Sequence, residues 1–425
     1  MSAETRTTPS SRRASFAERA FTVVVLLYST GAFVNLFERP DQLLDPGAGI
    51  PVLRYAWAAI YVLTLALWYR HCKGSLRLFF REGPIVLLVG LAIASVLWSD
   101  VPALTFRRSV ALAGTCLIAL YFAVRYPLRE QLKLLVWMCG LSVGLSFLFG
   151  WFEWGTAVDD LGGAWIGIYV QRNALGAMMV LSSLVFLLWA KFDPANRWKA
   201  RVLVAAAFSL IVLSRSMTSV VAFVFVLVLL PAIPKLAQSV RRVAVLILLF
   251  SIALIACGYW IGAHIEFVTA AMGRDPGLSG RIELWLASGL MALERPWLGY
   301  GYSAFWLGLE GPSSSIWRVV GWTAPGSHNG LMEIWLDLGV VGVAIAVFGF
   351  GRYFRKAFQL IREVRAWESA WPLMFLAVVF ILNLTENIFF SANNIYWLLY
   401  MVMALDLSRR AGTKPAGGNN RRTSL

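Results

Sequence analysis

The sequence predicts an all-helical, polytopic membrane protein, on three observations. Hydrophobic residues fill 59% of the 425 positions. Charged residues fill only 14%, where a soluble domain carries about 25%. The apolar residues lie in continuous runs rather than in alternation, which favours membrane-spanning helices over a β-barrel.

In chain order, residues 1–19 are polar and basic and read as a disordered tail. The first apolar run lacks a small-residue cleavage site, so it reads as a retained span. About twelve spans are expected, at roughly 20–37, 52–69, 84–98, 104–124, 131–151, 173–190, 201–214, 217–233, 243–262, 328–350, 370–388 and 393–408. Each is measured against the roughly twenty apolar residues that cross hydrocarbon. The run 201–233 is interrupted at Ser214-Arg215-Ser216. Residues 20–408 therefore read as one helical domain, with 263–327 as a large loop and 409–425 as a second disordered tail.

Basic residues set the expected orientation. On the twelve-span reading, 28 of the 38 Lys and Arg, and every lysine, fall on one side. Positive charge stays inside, so both termini are expected in the cytoplasm. The pI near 10.0 then reflects topology and anionic-lipid contacts, not nucleic acid. The other side carries only arginines: Arg39, Arg54, Arg107, Arg108, Arg172, Arg215, Arg274, Arg281, Arg295 and Arg318. Guanidinium forks suit phosphate oxygens, although pairing with carboxylates or headgroups is the plainer role for any one of them. Cys72, Cys116, Cys139 and Cys257 have no disulfide or metal spacing.

Several stretches on the arginine side carry chemistry. Gln171-Arg172-Asn173-Ala174-Leu175-Gly176 opens a span, and a helix start favours an anion; Asn173 as a simple cap is the alternative. Arg215 sits at the interruption of 201–233, where hydroxyl residues are expected to cap a new helix. Arg281 opens an amphipathic stretch reaching Leu293, expected to lie on the outer membrane face and to stop near Pro296. A local Arg281–Glu283 contact is the alternative. His328 is one of only three histidines; it follows Ser327, expected to cap the next span, and precedes Asn329. An imidazole there suits a general base or an orienting group. Glu333 and Asp337 share one helix face at i,i+4 spacing, and with Glu386 they are intramembrane acids expected to pair with the arginines. Trp285, Trp297, Tyr300, Tyr302, Trp306, Trp317 and Trp322 suit sugar stacking or, more simply, an interfacial belt. There is no Asp-x-Asp, no Gly-x-x-x-x-Gly-Lys and no Cys-x-x-Cys, so ATP-driven work and metal hydrolysis are poorly supported.

The ordered set Arg172–Gly176, Leu213–Thr218, Gly280–Trp285, Arg295–Gly301 and His328–Gly330 resembles the O-antigen ligase and Wzy-type polymerase superfamily. The run Gly273-Arg274-Asp275-Pro276-Gly277-Leu278-Ser279-Gly280-Arg281 is most similar to the exopolysaccharide polymerase branch. The resemblance implies a glycosyltransferase acting at the periplasmic face on glycans carried by undecaprenyl pyrophosphate. It implies transfer to an acceptor sugar with inversion and without a metal or other cofactor. Carried over by position, Arg172, Arg215 and Arg281 bind pyrophosphate and His328 meets the acceptor hydroxyl. Asn173, Arg274, Asn329 and Glu333 complete the expected substrate contacts. A ligase moving finished glycan to lipid A core or protein, and a transporter or flippase, are the alternatives. Membrane lipids, and chain-length regulators or flippases, are the expected partners.

Overall fold

A computed structural model describes residues 14–37, 50–154, 157–158, 163–236, 279–364 and 366–411, with scattered positions between 239 and 256. Both expected tails lie largely outside the described residues, as do Arg39, Arg274 and Cys257. The described chain is helical, with one isolated β-bridge between Val158 and Trp165.

The helices are α1 (Phe16–Tyr28), α2 (Pro51–Cys72), α3 (Leu76–Phe80), α4 (Gly83–Ala94), α5 (Pro102–Arg125), α6 (Leu128–Trp151) and α7 (Arg172–Phe192). They continue with α8 (Arg197–Leu213), α9 (Met217–Leu236), α10 (Ser279–Glu294), α11 (Ser313–Val320), α12 (Gly330–Glu363), α13 (Trp371–Asn383) and α14 (Ile395–Ala411). Every expected span except 243–262, which lies largely outside the described residues, has a helix in its place. Among the described residues, six helices are long and apolar enough to cross a membrane: α2, α5, α6, α7, α9 and α12.

Burial explains the order of the bundle. In α7 the apolar run has no polar stripe, and 78% of its hydrophobic window is buried; a helix apolar on all sides belongs in the middle. It packs on α6, α8, α9 and α13. By contrast only 6% of the α2 window is buried, so α2 leans on α5 from the edge and turns most of its apolar surface outward. One continuous core links these helices through large side chains such as Phe186, Phe375 and Trp397.

The two ends of the bundle differ. Arg125 and Glu18 pair at 2.6 Å, Arg129 and Glu368 at 3.5 Å, Arg19 and Glu130 at 3.4 Å, and Arg409 and Asp406 at 3.0 Å. All four pairs lie where α6 begins and α7 ends. The opposite end, where α7, α9 and α12 begin, holds the sequence motifs.

The loop expected at 263–327 is, from Ser279 on, largely ordered structure. It contains α10 and α11 and closes over a small core of its own, with Leu284, Tyr300, Phe305, Trp306, Trp317 and Leu336 buried. The expectation of belt or sugar-stacking aromatics is therefore corrected for Tyr300, Tyr302, Trp306 and Trp317, which are 1–7% exposed. They fill space under the loop. Trp297 and Trp322 remain exposed.

The motif Arg295–Gly301 splints a broken helix. Within α12, Gly339 has φ +66° and ψ −169°, a conformation that interrupts the helix. Interruption strands backbone groups that must find partners. The motif supplies them: Tyr300 N donates to Leu336 O at 2.8 Å and Gly301 N to Asp337 O at 2.9 Å. In return, Val340 N donates to Pro296 O at 2.8 Å and Val341 N to Trp297 O at 3.3 Å. Gly299 and Gly301 also have positive φ, and a Cβ at Gly299 would meet Leu336 O at 2.5 Å. The strap is tied on its other side to the α4–α5 turn, by Trp98 Nε1 donating to Leu298 O (3.1 Å), Tyr302 N donating to Ser95 Oγ (2.9 Å) and an Arg295–Asp100 ion pair (2.9 Å). For Arg295, then, carboxylate pairing is the role found.

Candidate active site

The site is built from the starts of α9, α10 and α12 and the residues just after α13. Residues 383–387, Asn-Leu-Thr-Glu-Asn, form its hub. Arg281 Nη1 donates to Thr385 O at 3.1 Å and Nη2 to Glu386 Oε1 at 3.1 Å. The other oxygen of Glu386, Oε2, lies 3.3 Å from His328 Nδ1. One carboxylate thus joins the two residues expected to act, 105 positions from Arg281 and 58 from His328 in sequence; both Glu386 and His328 are buried, at 5% and 6% exposure. The local Arg281–Glu283 alternative gives way to this long-range pair.

Geometry gives the histidine a direction. An ionised carboxylate at Nδ1 holds the ring proton there, leaving Nε2 as an acceptor. The same arrangement orients the histidine of a nucleophile–histidine–carboxylate triad. His328 itself has φ +49°, a left-handed conformation in which histidine is enriched among non-glycine residues. Its ring lies 6.1 Å from that of Trp322.

The turn bearing His328 is locked by Glu333. Its Oε2 accepts from Ser327 N (3.0 Å), Ser327 Oγ (2.7 Å) and Trp306 Nε1 (3.1 Å), and the Asn387 amide also donates to it. Glu333 is therefore saturated by neutral donors, which corrects the expected pairing with an arginine. Asp337 does face one: Arg108 lies near it, and both hold Ser303, whose N–H donates to Asp337 and whose carbonyl accepts from Arg108. Trp285 Nε1, on α10, donates to Ser327 O at 2.9 Å, so α10 reaches the same turn.

Asn329, not Ser327, caps α12. Its Oδ1 accepts from Leu331 N and Met332 N, both at 3.1 Å, while Nδ2 donates to Leu384 O at 3.3 Å. Asn329 therefore ties the start of α12 to the hub. Its replacement by alanine is expected to cost about 1 kcal/mol for the cap. A fall in the melting temperature of the purified protein measures this; an unchanged value would remove the capping role.

Two further candidates approach from the α7–α9 side. Arg215 occupies the α8–α9 turn with φ +53° and is exposed. Ser219 Oγ donates to Ser216 Oγ at 2.9 Å at the start of α9. Three residues past Arg215, Thr218 accepts from Thr385 Oγ1 at 3.3 Å, which ties this turn to the hub. Arg172 is the first residue of α7 and is exposed; Gln171 takes the N-cap position without a side-chain bond, and Asn173 is inside the helix. The Asn173 cap is thus corrected. Gly176 brings α7 against α9, since a Cβ there would meet Ser219 Cβ at 2.8 Å. Arg281, His328 and Glu386 are brought into direct contact, and the Arg215 turn is joined to them through Thr218. The Arg172 helix start is joined to that turn through Gly176, and Arg274 lies outside the described residues.

With this geometry in place, comparison with known proteins adds a family. Residues 202–347 match the family model described as O-antigen ligase. That stretch is similar to the O-antigen ligase family. The matched stretch contains Arg215, Arg281, His328 and Glu333, whereas Arg172 and the 383–387 hub lie outside the match. The chain is also 25% identical, over 349 residues, to the Exopolysaccharide production protein ExoQ of Rhizobium meliloti (strain 1021). That alignment covers 77% of this chain and 78% of the relative. The resemblance to the O-antigen ligase and Wzy-type superfamily, on its exopolysaccharide side, rests on both findings.

The motif reading missed Thr385 and Asn387 and weighed Glu386 only as one acid among several. The only signal for them was the polar run Asn383–Asn387 in an otherwise apolar stretch.

Proposed function

We propose that this protein elongates polysaccharide by joining oligosaccharide repeat units carried on undecaprenyl pyrophosphate, at the periplasmic face of the inner membrane. The observation that carries the reading is the Arg281–Glu386–His328 linkage. In the proposed step, His328 Nε2 takes the proton of an acceptor hydroxyl as its oxygen bonds to the anomeric carbon. The bond from that carbon to the pyrophosphate oxygen breaks on the opposite face, so configuration inverts. Arg281, with Arg215 and Arg172, neutralises the departing diphosphate, the preorganised charge stabilisation that lowers such barriers most. Arg274, on the sequence run that leads into Arg281, and Asn173, at the α7 start, are the further substrate contacts of this reading. No divalent cation takes part.

A purified-protein reaction with a synthetic polyprenyl-pyrophosphate-linked repeat unit tests this. Chain extension should proceed equally with and without EDTA; loss of extension in EDTA would overturn the metal-free step.

The ligase reading is favoured by the description of the matching family, and its site chemistry is the same. Glycans from a deletion strain separate the two. Accumulated single repeat units mark a polymerase, and retained long lipid-linked chains mark a ligase.

A further inference from the structure

At the end of the bundle away from Arg281 and His328, α6, α7 and α8 enclose a groove of about 450 Å³. Its walls are Trp137, Gly140, Leu141, Trp189 and Leu203, so most of its lining is apolar. Two opposite charges stand among these walls, Lys133 from the second turn of α6 and Asp193 just past α7. They lie near enough for Lys133 to favour the ionised Asp193, yet they make no direct ion pair. Lys133 has no hydrogen-bond partner among the described residues. Asp193 accepts from Trp189 Nε1 (3.2 Å) and Asn196 Nδ2 (3.0 Å), both at Oδ2, which leaves Oδ1 open.

The other charges around the mouth are already engaged. Arg129 pairs with Glu368 and donates to Phe192 O, Arg197 donates to Ala190 O, and Lys191 sits 5.0 Å over the Trp367 ring. What remains is one cation and one anion, spaced apart over an apolar trough. Gly140 leaves the trough open, since a Cβ there would meet nothing within 4 Å. A volume of this size falls within the roughly 300–1,000 Å³ of small-molecule sites.

We propose that this groove is a binding site for a zwitterionic phospholipid with a primary ammonium headgroup, of the phosphatidylethanolamine kind. Lys133 takes the phosphate, Asp193 Oδ1 takes the ammonium, and an acyl chain lies along Gly140 and Leu141. A glycerol headgroup satisfies Lys133 through its phosphate but brings no cation to Asp193. A trimethylated headgroup cannot donate hydrogen bonds to the carboxylate.

Native mass spectrometry of the full chain tests this, after delipidation and titration with dioleoyl phosphatidylethanolamine, phosphatidylcholine or phosphatidylglycerol. Phosphatidylethanolamine should be retained about tenfold more tightly than either, the ratio set by one charge-assisted hydrogen bond. Lys133→Gln and Gly140→Leu should each lower that retention to the phosphatidylcholine level, the first by removing the phosphate contact and the second by filling the trough. Asp193→Asn should shift preference toward phosphatidylglycerol. Equal retention of the three lipids, a wild-type preference for phosphatidylglycerol, or undiminished binding by Gly140→Leu would each overturn the proposal.

Discussion

Arg281→Lys is expected to lower turnover by roughly 100-fold or more, in line with the loss of one preorganised donor to a developing negative charge, while expression and melting temperature hold. The guanidinium uses separate nitrogens for Thr385 O and Glu386 Oε1. An ammonium is a single point charge and cannot reproduce this fork. Lysine keeps the charge, so the loss measures geometry. Glu386→Gln forms the natural partner experiment, because it keeps the shape and removes the charge shared by Arg281 and His328. If Glu386 orients the histidine, Glu386→Gln should lower turnover with little change in apparent substrate affinity. Near-normal turnover by Arg281→Lys in the purified reaction would remove the bidentate role and with it the proposed handling of the diphosphate.

Gly339→Ala is expected to have the largest effect on the fold. A backbone at φ +66°, ψ −169° lies in a region essentially reserved for glycine, costing about 1–3 kcal/mol for other residues. Steric overlap adds to this, because a Cβ at 339 would run into the backbone of Trp297 and Leu298. Helix α12 would then have to straighten or release the 295–301 strap. Either response disturbs Leu336 and Asp337, one turn beyond Glu333. The expected result is a sharp fall in melting temperature and loss of activity. An alanine variant with unchanged stability would show that the break is not required.

The sequence patterns reached the helical class, most of the helices and the gathering of the motifs at one end of the bundle, because hydrophobic length and charge placement act locally. They did not reach the break at Gly339. Leu338-Gly339-Val340-Val341 reads as part of a continuous apolar run, and the interruption exists only because a distant strap supplies its hydrogen bonds. The same limit explains the capping error. Ser327 and Asn329 are both competent caps, and Glu333 decided between them by holding Ser327. The buried aromatics of the loop were read as surface groups because nothing local announces a second small core. Glu386 was visible as an acid, but its two partners are set by tertiary packing.

The break in α12 has a mechanical consequence. As one straight rod its 34 residues would reach about 51 Å, well beyond the ~30 Å of hydrocarbon. Divided at Gly339, the helix becomes two arms with separate duties. The longer arm packs along α4 and is anchored there by Tyr353 donating to Glu82, while the short one, tied through the strap to the α4–α5 turn, keeps the turn bearing His328 in register with Glu386.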